Sequence, residues 1–119
     1  MNPAYPKTGD VFLVDLDPTK GSEQQGKRPV IIFQNPDLNQ YTRTYICIPL
    51  TTNLSRLAMP GTCFIKKGNG GLTRDSIALC FQLRAIDQSR LSKKLGTLNK
   101  TSLESLMGSI LSAMGIEID

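Results

Sequence analysis

Short apolar runs rich in β-branched residues, each closed by glycine, proline or asparagine, fill most of the chain before one helical stripe takes over. Residues 10–16 (DVFLVDL), bounded by Gly9 and by Asp17-Pro18, predict a first strand. Residues 29–33, 42–50, 61–66 and 76–82 predict four more, with 83–86 as a continuation of the last. Between the first two lies a long polar loop, 17–27, punctuated by Pro18, Gly21 and Gly26, and loops of that length in small domains tend to carry function. Segments 35–39 and 51–60 read as further loops, 67–72 as turn chemistry, and 87–95 as room for a short helical turn. Leu103, Leu106, Met107, Ile110, Leu111 and Met114 then recur at three- and four-residue spacing, the signature of an amphipathic helix. Asn99 suits its N-cap, Thr101 with Glu104 forms an alternative capping box, and Gly115 suits its stop.

Strands followed by one helix predict a mainly β domain with a C-terminal α-helix, its sheet small, antiparallel and barrel-like, with the helix over an open face or edge. The pattern alone does not choose an SH3-like barrel over an OB-like one. A length of 119 residues fits one domain, 1–119. No apolar run approaches the roughly 20 residues that span a bilayer, and residues 1–8 lack the apolar core of a secretory signal, so the expected location is the cytoplasm.

Composition narrows the chemistry. The net charge of +4 permits a polyanionic partner without demanding one. With no histidine and no CxxC pair, zinc patterns and every histidine-based triad or acid–base pair are excluded in cis. Cys47, Cys63 and Cys80 sit in apolar runs and are expected to be small buried hydrophobes. No metal and no cofactor is expected.

Three constellations remain. The loop carries Lys20, Ser22, Glu23, Gln24, Lys27 and Arg28, and Pro29 biases Arg28 toward an extended backbone at a strand mouth. A guanidinium fixed there suits a phosphate, because it offers planar paired donors and keeps its charge; a solvated polar loop is the competing reading. Thr51, Thr52 and Asn53 follow directly on a strand, where they serve either as phosphate donors or as turn caps. Gln82 and Arg84, two apart, are expected on one strand face, for substrate or for structure. Phe12, Phe33, Phe64 and Phe81 fall in apolar runs and look like core; Tyr41 and Tyr45 remain candidates for base stacking, with packing the commoner use.

Over nearly its whole length the chain resembles the MazF/PemK toxin family. The resemblance rests on Gly9-Asp10-Val11, on residues 15–24 (DLDPTKGSEQ), on Gly26-Lys27-Arg28-Pro29, on 48–52 (IPLTT), and on Asp75-Ser76, Gln82-Leu83-Arg84 and Ser89-Arg90-Leu91. It implies an SH3-like barrel of the PemK/CcdB type, a homodimer, and metal-independent cleavage of single-stranded RNA, mostly mRNA, at short sequences. It also implies a cognate antitoxin with an acidic tail. By the same resemblance Arg28 and Thr51 are catalytic and Glu23 contributes. Ser22, Gln24, Lys20, Lys27, Thr52, Asn53, Gln82 and Arg84 are then expected to bind RNA. Residues 35–41 and 53–61 follow no fixed family pattern and are expected to set sequence preference. Two alternatives stand beside this reading: a toxin of the same fold that poisons gyrase, as the CcdB type does, and a non-catalytic RNA-binding barrel.

Overall fold

The computed structural model describes residues 6–17, 20, 21, 23 and 26–117. Seven strands precede one helix: β1 Asp10–Asp15, β2 Lys27–Ile32, β3 Thr44–Thr51, β4 Thr62–Ile65, β5 Ser76–Leu79, β6 Arg84–Asp87, β7 Leu91–Thr97 and α1 Lys100–Ala113. All pairings are antiparallel and run β4-β5-β3-β2-β1-β7, with β6 also against β3. The path has two ends, β4 and β7, and no pairing joins them among the described residues, so the sheet is open rather than a closed barrel.

Both faces of the central strands are apolar, which is why 29–33 and 46–50 read as continuous apolar runs. On one face Val11, Ile31, Ile48 and Leu50 pack with Leu106 and Ile110 of α1. On the other, Val14, Leu16, Val30, Ile32, Tyr45, Cys47 and Ile86 form a second cluster. The helix starts as expected at Asn99, whose side chain accepts from Ser102 N at 2.8 Å. It stops at Gly115 (φ 71), where Ile116 N donates to Leu111 O and Gly115 N to Ser112 O, a Schellman arrangement. Its stripe is wider than the sheet covers: Leu106 and Ile110 are buried, whereas Met107 and Met114 are exposed.

The short helical turn expected within 87–95 is present at Gln88–Arg90, but a strand that the sequence reading lacks, β7, begins at Leu91. Its pairing with β1 is interrupted by two register shifts, which break the alternation that marks a strand in sequence. The apolar run 76–82 is not one strand that continues through 86. β5 and β6 lie end to end along β3, joined by the 3-10 turn Cys80–Gln82. Leu50 stands opposite Ala78 and Cys47 opposite Arg84, so β3 advances three residues while its partner advances six. The surplus of three is looped out, and Gln82 does not share a strand face with Arg84.

Candidate functional site

The site begins where a ladder ends. β2 and β3 pair through Ile32–Cys47, Ile31–Ile48 and Val30–Pro49. Pro29 and Pro49 have no N–H to donate, and the ladder goes no further. Arg28 and Thr51 each lie two residues past the last pair of that ladder, Val30–Pro49. Both follow the parity of Val30, Ile32 and Cys47, so they belong to the face of the second apolar cluster. Arg28 is exposed at the second position of β2, opposite Val14 of β1. Thr51, half-buried, is the last residue of β3 and pairs with Ile77.

At this end of the sheet is a cleft of about 230 Å³ lined by Glu23, Pro49, Phe81, Gln82, Leu83 and Arg84. Pro49, opposite Val30, is part of its lining. Gln82 reaches it from the looped-out turn and Arg84 from the first position of β6, so the two meet there without sharing a strand face. Arg84 is opposite Cys47. Burial pushes the Cys47 thiol up to about 12, an effect that the positive charge of Arg84 partly opposes.

Glu23 stands at the cleft lip, with one carboxylate oxygen accepting from Lys20 N at 2.7 Å while Glu23 N donates to Lys20 O. Thr51 Oγ1 accepts from Asn53 N at 3.2 Å, a bond that uses a lone pair and not the hydroxyl proton. Asn53 is a cap: its Oδ1 accepts from Ser55 N and Ser55 Oγ ahead of the 3-10 turn Leu54–Ala58. Lys20, Lys27 and Thr52 are exposed around the same loops. Ser22 and Gln24 lie outside the described residues.

The root of the 17–26 loop is closed by hydrogen bonds. Leu16 N donates to Gly26 O, and Gly26 N donates to Asp17 Oδ1 at 3.1 Å. Gly26 holds φ 80, open to glycine at no steric cost. Among the residues that line the cleft, Glu23 supplies a carboxylate, Gln82 an amide and Arg84 a guanidinium, while Arg28 and Thr51 are not among its lining.

A family model described as a PemK-like, MazF-like toxin of a type II toxin–antitoxin system matches residues 7–113. This chain belongs to that family. The Endoribonuclease MazF of Staphylococcus saprophyticus is 36% identical over 110 residues, 92% of each chain. That of Staphylococcus epidermidis is 39% identical over 97 residues, 82% of this chain and 81% of its own. Among solved structures, MazF from Deinococcus radiodurans superposes with a TM-score of 0.79 at 22% identity, covering 93% of this chain and 97% of its own. An endoribonuclease in complex with its cognate antitoxin, from mycobacterial species, gives 0.80 at 19%, covering 97% and 100%. At those identities the structural likeness speaks for the fold.

In this PemK/MazF-family toxin Phe12 and Phe33 pack against the core as expected, and two other phenylalanines depart from the sequence reading. Tyr45 is core, and Tyr41 is exposed but does not line the cleft. Phe64 and Phe81, expected in the core, are 44% and 40% exposed, and Phe81 lines the cleft. An apolar run hides such a residue, because the loop-out that exposes it is set by the register of β3. The cysteines behave as expected: all three are free and buried, with burial raising each thiol above its ordinary value.

Proposed function

We propose that this toxin is an endoribonuclease that cuts single-stranded RNA, chiefly mRNA, at short sequences, using the RNA's own 2′-hydroxyl as nucleophile. The observation that carries the reading is the family match over residues 7–113, in a chain whose cleft, lined by Glu23, Gln82 and Arg84, opens at the end of the sheet. Attack of the 2′-oxygen on the adjacent phosphorus breaks the bond to the 5′-oxygen and leaves a 2′,3′-cyclic phosphate and a 5′-hydroxyl. Arg28 clamps the phosphate and balances the charge growing on its non-bridging oxygens, and the Thr51 hydroxyl donates to one of them. A guanidinium keeps its charge in proteins, so Arg28 serves as a donor and not as a base. Glu23, the carboxylate that lines the cleft, serves as base or orients Arg28. The charge neutralisation comes from side chains, so the reaction runs without a metal ion. Lys20, Ser22, Gln24, Lys27, Thr52, Asn53, Gln82 and Arg84 hold the strand on either side.

The same reading makes the chain one cytoplasmic domain over 1–119, its sheet curled toward an SH3-like barrel. It also makes it a homodimer held by a cognate antitoxin whose acidic tail follows the basic groove. The cognate antitoxin in complex with the mycobacterial relative supports an antitoxin as partner. The dimer is supported by α1, where Met107 is 51% exposed beside an apolar groove lined by Phe33, Leu103 and Leu111.

The test is cleavage of a mixed RNA pool by the purified chain, with the 5′ ends of the products sequenced. We expect cuts at one short motif, unaffected by chelator, and abolished by a 2′-deoxy sugar at the scissile position. Arg28→Ala and Thr51→Ala should each lower the rate by about 10²-fold or more. Cleavage of the deoxy substrate, loss of cleavage in chelator, or full activity of either variant overturns this mechanism.

A further inference from the structure

We infer that Phe81 is a base-stacking platform beside the scissile phosphate, an inference that rests on the reading of this cleft as an RNA site. The looped-out turn Cys80–Gln82 lifts Phe81 out of the sheet, where an apolar side chain in that run would otherwise be buried like Ile77 and Leu79. Its ring is 40% exposed and lines the cleft with Gln82 and Arg84. A bulge that re-aims one side chain into a site is a device of active-site margins.

The ring is backed by a cation. Arg56, in the 3-10 turn Leu54–Ala58, places its guanidinium carbon 5.7 Å from the Phe81 centroid. Its Nε is buried and has no hydrogen-bond partner among the described residues. A buried guanidinium N–H without an acceptor is unfavourable, and here the ring face is what the guanidinium is packed against. Arg56 thus holds one face of Phe81 and fixes the ring, and the exposed remainder faces the cleft. A planar nucleobase fits that opening: it stacks on the ring while the Gln82 amide meets its edge and Arg84 lies within reach of its phosphate. A side chain built for apolar packing alone would need neither the loop-out nor the cation behind it.

The test uses the full chain and the shortest oligoribonucleotide that carries the sequenced cut. A set of substrates replaces, one at a time, each base flanking the cut with an abasic ribose. Phe81→Ala and Phe81→Leu should raise KM between about fivefold and a hundredfold with kcat within about twofold, while Phe81→Tyr keeps the wild-type KM. At one position the abasic substrate should cost wild type a similar factor yet cost Phe81→Leu nothing further, a coupling that a purely structural role would not produce. Thermal melts of each variant check folding. The inference is overturned if Phe81→Leu keeps the wild-type KM. It is equally overturned if Phe81→Leu remains as sensitive as wild type to every abasic position. Failure of the wild type to cut RNA would instead overturn the underlying reading.

Discussion

Arg90 reaches across the sheet to the root of the loop that carries Glu23: its Nη1 donates to the backbone carbonyl of Asp17, and to that of Asp15 at 3.2 Å. Arg90 ends the 3-10 turn before β7, more than seventy residues along the chain from the carbonyls it holds. Asp17 in turn accepts from Gly26 N, so one guanidinium steadies both ends of the loop. Arg90 does not line the cleft and acts as a positioning residue.

Arg90→Ala should therefore lower kcat by roughly tenfold through misplacement of the loop, with a melting temperature within a few degrees of wild type. Arg90→Lys, which keeps the charge but loses the fork, should recover only part of the rate. Cleavage kinetics with paired thermal melts check both; an unchanged kcat in Arg90→Ala would remove Arg90 from the loop's support.

The strand that follows Arg90 leads to a second prediction, about stability. Gly71 has φ +75, and a Cβ built on it would lie 1.9 Å from the Leu95 carbonyl oxygen. The turn Asn69–Gly71 thus packs backbone to backbone against β7. Gly71→Ala meets both a left-handed backbone and a direct clash, and should cost about 3 kcal/mol or more in urea unfolding. Gly68→Ala is the control: its φ is also positive, but nothing lies within 4 Å, so its cost should stay near 1 kcal/mol.

That packing also explains what the sequence conveys and what it hides. Strands whose sides face packed clusters, such as β1 and β3, announce themselves by their apolar residues, and α1 by its stripe and its Asn99 cap. β7 does not: Ser92, Lys93 and Lys94 interrupt it, and its bulged register spoils the period of two. The site divides the same way. Pro29 and Pro49 are visible in sequence, and so is the extended backbone at Arg28. Phe81 is not, because its exposure depends on how far β6 slips along β3, a quantity no local pattern encodes. The sequence leaves Asn53 between substrate contact and cap, and its hydrogen bonds to Ser55 show the capping use.

The buried thiols yield a prediction in pH. Burial raises Cys47 from 9.0 to about 12, so the unfolded chain loses this proton before the folded one does. The resulting stability is fully present below about pH 9 and is lost as pH climbs from there toward 12. Urea unfolding between pH 9 and 10.5 should show a slope that Cys47→Ala reduces by up to about 1.4 kcal/mol per pH unit. Native protein at pH 8 should also react with a thiol reagent far more slowly than unfolded protein. Equal rates would show that Cys47 is reachable by solvent.

Thr51 offers the sharpest separation of chemistry from structure. Its Oγ1 accepts from Asn53 N, which leaves the hydroxyl proton available for another acceptor. Thr51→Ser keeps the acceptor and the donor and should cut RNA within about threefold of wild type. Thr51→Val keeps the shape and the β-branch but offers neither, and should lose about 10²-fold or more in kcat. Because Asn53 N also loses its partner in Thr51→Val, some destabilisation of the turn is expected, about 1 kcal/mol for an exposed hydrogen bond. The two effects part on KM: loss of a donor that acts on charge developing in the transition state leaves KM near wild type, whereas a collapsed turn would raise it. A Thr51→Val variant with a raised KM and an intact kcat would make this hydroxyl a turn cap and nothing more.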